Sequence, residues 1–107
     1  MKIFYENRKI NLHVREVGFF GKIWGLMFSS KEHENLLFSF NKSTRIAIHS
    51  FFVFYSFLAV YLDNKNRVLE FRIVKPFDFH VKPRKVFRKL VEIPLNSRNK
   101  RIIATFI

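Results

Sequence analysis

A mainly β fold of the α+β class is predicted: a compact, barrel-like or strongly bent, mostly antiparallel sheet with one or two short helices. Three observations predict it. Several segments alternate apolar and polar residues with period two. Breaks containing Asn, Gly or Pro separate them at short intervals. A 17-residue uncharged run, residues 46–62, is rich in aromatic and β-branched side chains, which fit a pleated surface. At 107 residues the chain makes one domain, residues 1–107.

The first segments are Ile3-Phe4-Tyr5 and residues 9–15, separated by Glu6-Asn7-Arg8. Ile10, Leu12 and Val14 fall on one side of the second, and Lys9, Asn11, His13 and Arg15 on the other. The pair reads as a hairpin. Apolar residues at 19, 20, 23, 24, 26 and 27 approximate a helical stripe, so a short helix is expected over residues 19–24. Gly25 belongs near its end, because glycine weakens a helix interior. Residues 29–35 read as a surface loop, residues 36–40 as a short buried strand, and Asn41-Lys42-Ser43-Thr44 as a turn.

Residues 46–62 approach the length of a membrane span. His49, Ser50 and Ser56 interrupt the run, and both flanks are basic, so no charge asymmetry orients it. Two buried strands are expected instead, and a membrane role is disfavoured. Asp63-Asn64-Lys65-Asn66 is a polar turn closing a hairpin onto residues 67–74, with Leu69, Phe71 and Ile73 inward and Glu70 and Arg72 outward. Pro76 breaks that strand. Residues 86–93 form the next, with imperfect alternation, and Pro94 ends it. Residues 101–107 are expected to close the chain as a last strand.

Phenylalanine occurs 15 times, ample material for a core. Cysteine is absent, which excludes disulfide scaffolds and thiolate chemistry. Charges resume at Glu6, too early for a signal peptide's apolar stretch, so a cytoplasmic location is the default expectation. The net charge is +12 and uneven. Residues 1–63 hold 8 basic and 5 acidic side chains, whereas residues 64–107 hold 12 and 3. Such an excess attracts nucleic acid or another polyanion.

Gly25-Leu26-Met27-Phe28, Leu37-Phe38-x-Phe40, the run from Ile48-His49-Ser50-Phe51-Phe52 to Leu62-Asp63, Val68, Lys75-Pro76 and Val91-Glu92-Ile93-Pro94 follow one another in a familiar order. The chain resembles domain-of-unknown-function family 192, also called uncharacterised protein family 0127, and is most similar to its archaeal form. The resemblance covers roughly residues 10–95. It implies a small β-rich domain with a short helix at Gly25-Leu26-Met27-Phe28, and no particular function. Ser50, Val53, Phe54, Ser56 and Leu58 depart from the archaeal pattern, and the family's acidic residue inside the run is missing. His49 and Asp63 are retained.

No His pairs with another His, Asp or Glu at a metal-ligand spacing, and three glycines cannot build a phosphate-cradling loop. No catalytic residue, metal or cofactor is expected, and the leading reading is a non-enzymatic binding or structural module. His33 lies between Glu32 and Glu34 in the expected loop. His49, with Asp63, is the candidate for a cleft; the plainer reading is a hydrogen-bonded strand histidine. The alternative function is nucleic-acid binding through the basic C-terminal half, by Lys82, Arg84, Lys85, Arg88 and Lys89, with Arg98, Lys100 and Arg101 extending the patch. Phe87 in that cluster, like Trp24 and Met27, is expected to pack inside.

Overall fold

The computed structural model describes residues 1–17, 35–45, 55–76 and 82–107. The helix expected at 19–24, with Trp24 and Met27, lies outside the described residues, as do His33, the first part of the uncharged run with His49, and His80.

β1 (Lys2–Tyr5) and β2 (Arg8–Asn11) form the first hairpin, with Tyr5 opposite Arg8. Glu6 and Asn7 make its two-residue turn with φ of 47° and 63°. Positive φ at both positions is what a type I′ turn requires, because its twist matches that of the flanking strands. The other strands are β3 (Arg15–Val17), β4 (Leu36–Thr44), β5 (Phe57–Leu62), β6 (Val68–Val74) and β7 (Phe87–Pro94). They form a second sheet in the order β3-β4-β7-β5-β6, antiparallel except for the parallel pair β3–β4. Among the described strands this sheet ends in β3 and β6 and is not closed into a barrel. Residues 41–44 are part of β4, not a turn, and its register against β7 shifts between Ser39 and Thr44.

Both faces of the five-stranded sheet are apolar, which is why every residue of β5 is buried. One layer contains Leu36, Phe38, Phe40, Phe57, Ala59, Tyr61 and Phe87. The other contains Leu37, Leu58, Val60, Leu62, Val91 and Ile93, covered by Ile3 and Leu12 of the hairpin region and by Phe106. Ile10 and Val14 pack on this second layer too, as the period-two pattern predicts. Burial of each such side chain contributes roughly 1.5–3 kcal/mol.

The β5–β6 hairpin follows the sequence closely, yet β6 departs in detail. A register irregularity between Tyr61 and Leu62 turns Leu69 to the first layer while Phe71 stays with the second. Ile73 is 45% exposed, and Glu70 and Arg72 are half-buried. Among the described strands β6 lies at the edge of this sheet, with a full partner strand on one side alone.

The chain's end is a helix where a strand was expected. A 3₁₀ turn (Ser97–Asn99) leads into α1 (Lys100–Phe106), and the Asn96 side chain accepts from the Asn99 backbone N–H at 3.1 Å. Ile102, Ile103 and Phe106 share one helical face and pack on the second layer, whereas Lys100, Arg101 and Ala104 are exposed. Seven residues are too few for a stable isolated helix, so this burial maintains it. The Phe106 ring lies tilted against Tyr5 (4.9 Å between centroids) and edge-on to Phe71 (5.2 Å), joining helix, hairpin and β6. Among the described residues no helix is long and apolar enough to cross a membrane.

Candidate polyanion-binding surface

Strand register decides which charges meet. Thr44 and Leu62 stand opposite Phe87 and Lys89. The end of β4, the turn after β5 and the approach to β7 therefore lie at one end of the sheet. That end collects Lys42 and Arg45 from β4 and its exit, Lys65 and Arg67 from the turn, and Lys82, Arg84, Lys85, Arg88 and Lys89 from the approach and start of β7. Among the described residues Asp63 and Glu70 are the acids there, and both are engaged locally.

Asp63 organises the turn. Its Oδ1 accepts from the backbone N–H groups of Lys65 and Arg67, each at 2.9 Å, and its Oδ2 accepts from Arg67 Nε at 2.6 Å. Partial desolvation pushes the carboxyl up, but the hydrogen bonds from Arg67 and Lys65 together outweigh it and hold the pKa below the ordinary value. Asn66, at φ 64°, closes the turn. Its Oδ1 accepts from Lys89 Nζ at 2.7 Å, its Nδ2 donates to the Lys2 carbonyl at 3.1 Å, and its own carbonyl accepts from Phe4 N at 2.9 Å. One asparagine thus ties β7 and the first hairpin to this turn.

Residues 82–86 span the same end. Arg45 donates through Nε and Nη2 to the Pro83 carbonyl at 3.3 and 3.2 Å. On the other side Glu70 Oε1 accepts from Lys85 N at 2.8 Å, and Lys85 Nζ donates to the Leu69 carbonyl at 3.3 Å. Arg72 Nη2 lies 3.7 Å from Glu70 Oε2. An open groove of about 540 Å³ runs here, lined by β6 side chains together with Arg84 and Lys85.

Five of the nine cations are thereby anchored: Arg45, Arg67, Lys85, Lys89, and Arg88, whose Nε donates to the Phe40 carbonyl at 3.1 Å. Lys42, Lys65, Lys82 and Arg84 are exposed, and their side chains make no hydrogen bond or ion pair among the described residues.

Of the residues singled out in the sequence, Lys82, Arg84, Lys85, Arg88 and Lys89 do come together here. Arg98, Lys100 and Arg101 follow the far end of β7, about 23 Å away at ~3.3 Å per residue. Lys42, Arg45, Lys65 and Arg67 join through register, which the sequence does not display. Asp63 serves the turn. His13 is exposed, and Phe87 is fully buried against Phe40 and Tyr61.

A second polar site lies in the first apolar layer. Glu92, 7% exposed, sits between Leu36 and Ala59 and accepts from the Tyr55 hydroxyl at 3.3 Å. Desolvation raises its pKa to about 7, against the lowering effect of that hydrogen bond. Tyr61 is wholly buried, its hydroxyl has no hydrogen-bond partner among the described residues, and burial pushes its pKa to about 12. Sequence reasoning missed Glu92; the one signal was a lone acid within the run from Leu90 to Pro94. Among the described residues no group of three His, Cys, Asp or Glu is placed to hold a metal ion.

No protein-family model, curated protein or solved structure matches this chain.

Proposed function

We propose that this protein is a non-enzymatic binding module that holds a polyanion, nucleic acid, against the basic end of its five-stranded sheet. One observation carries the reading: among the described residues strand register gathers nine cations at that end, and the two acids among them are engaged by Arg67 and by Lys85 and Arg72. Among the described residues nine positive charges face two negative ones there, and four long side chains remain available for phosphate oxygens. Lys and Arg on a fixed backbone bind phosphates by charge and release condensed counterions, which needs no pocket. The non-enzymatic part rests on the sequence, which offers no paired catalytic groups. The same reading places the protein in the cytoplasm, where a chain without cysteine needs no oxidising compartment. The likeness to domain-of-unknown-function family 192 carries no function and supplies no support here.

Charge reversal at the two ends of β7 tests the reading. A variant with Lys42, Lys82 and Arg84 changed to Glu is expected to lose more than ten-fold in affinity for a labelled oligonucleotide. A variant with Arg98, Lys100 and Arg101 changed to Glu should lose much less. Equal losses would mean that net charge alone drives the association.

A further inference from the structure

The outer face of the first hairpin carries an aromatic ring set between cations. Among the described phenylalanines, Phe38, Phe40, Phe57, Phe87 and Phe106 are buried and Phe71 is half-buried, whereas Phe4 is 41% exposed. Strand periodicity explains why: Ile3 points into the core with no exposed surface, so Lys2 and Phe4 point out. Lys9 stands directly opposite Phe4 across β1–β2. On its other side Phe4 forms a parallel bridge with Arg67. Residues paired across adjacent strands project from the same face, so Lys9, Phe4 and Arg67 form a row with strand spacings of ~4.8 Å.

The row is held in place. Phe4 N donates to the Asn66 carbonyl, and Asn66 Nδ2 donates to the Lys2 carbonyl. β1 is therefore fixed on both sides before any ligand arrives, which lowers the ordering cost of binding.

We propose that this row is a stacking site for single-stranded nucleic acid, with a base on the Phe4 ring and the adjoining phosphates on Lys2, Lys9 and Arg67. The inference rests on the polyanion reading and deepens it by naming the strand class. An aromatic side chain can cover only a base whose face is free, which a duplex does not offer. Phenylalanine has no hydrogen-bonding group, so the site tolerates any base and favours those that stack well.

Fluorescence anisotropy with a labelled pyrimidine single strand and a duplex of equal length tests this on the intact protein. Phe4→Ala is expected to weaken single-strand binding by about 5- to 150-fold, the range of one lost stacking contact. Its duplex affinity and salt dependence should match the native protein. Phe4→Trp should keep single-strand affinity, which separates loss of stacking from loss of structure. The inference is overturned if Phe4→Ala binds the single strand as the native protein does, or if it loses both ligands equally. Native protein that binds neither ligand at low salt would remove the underlying polyanion reading as well. Native binding to both, with Phe4→Ala unaffected, removes the stacking site alone.

Discussion

The Tyr55 hydroxyl donates to Oε1 of Glu92 across 3.3 Å, within the layer where Leu36 and Ala59 flank the carboxyl. The folded protein holds that proton up to about pH 7, while an unfolded glutamate, with its ordinary value of 4.5, releases it earlier. The folded state therefore binds more protons between these two values, and this group's contribution falls as pH rises through the window. The loss is complete above about pH 7 and amounts to roughly 3 kcal/mol. Glu92→Gln should remove it. Urea denaturation is expected to show the variant more stable than the native protein at about pH 8 and nearly equal to it near pH 4. A variant less stable at the higher pH would contradict this assignment.

Tyr61 gives a prediction of opposite character. Its buried hydroxyl has no hydrogen-bond partner among the described residues, so it bears a desolvation cost of about 1–3 kcal/mol without return. Tyr61→Phe should leave stability unchanged or raise it by about 1 kcal/mol. The ring contact with Phe87 at 4.8 Å would persist. A loss above about 1 kcal/mol in thermal unfolding would show that the hydroxyl stabilises the fold.

The first hairpin carries a correctable strain. Glu6 holds φ at 47°, a conformation that costs a non-glycine residue roughly 1 kcal/mol. Replacing Glu6-Asn7 by Asn-Gly supplies the preferred type I′ pair. The expected gain is about 1 kcal/mol, seen as a higher urea midpoint at unchanged slope.

Phe106 should be the residue on which the C-terminal helix depends. Phe106→Ala is expected to cost about 3–5 kcal/mol, since it removes ring contacts to both Tyr5 and Phe71. Amide exchange should accelerate first in α1 and in β1, which the ring holds together. Uniform acceleration across β4, β5 and β7 would show that the helix is no separate clasp.

Much of the sheet was legible in the sequence because its signals are local. The uncharged run ending at Leu62, the polar turn from Asp63 and the alternation from Val68 predict β5, β6 and their hairpin. The helix was not legible. Ile102, Ile103, Thr105 and Ile107 favour a strand by propensity, and burial of Ile102, Ile103 and Phe106 overrides it. The basic cluster at 82–89 was visible as a run of charge. Its partners Lys42, Arg45, Lys65 and Arg67 were hidden, because pairing across strands distant in sequence brings them near. The exposed ring of Phe4 was hidden for a related reason: in a four-residue strand only the tertiary fold decides which side is covered.

The proposed binding of phosphates by charge at one end of the sheet is read out by the salt dependence of single-strand binding. If the four unanchored cations and Lys2, Lys9 and Arg67 of the stacking row each neutralise a phosphate, log affinity should fall linearly with log salt at a slope of about −5, near 0.7 per contact. Affinity that stays level from low to moderate ionic strength would contradict the account.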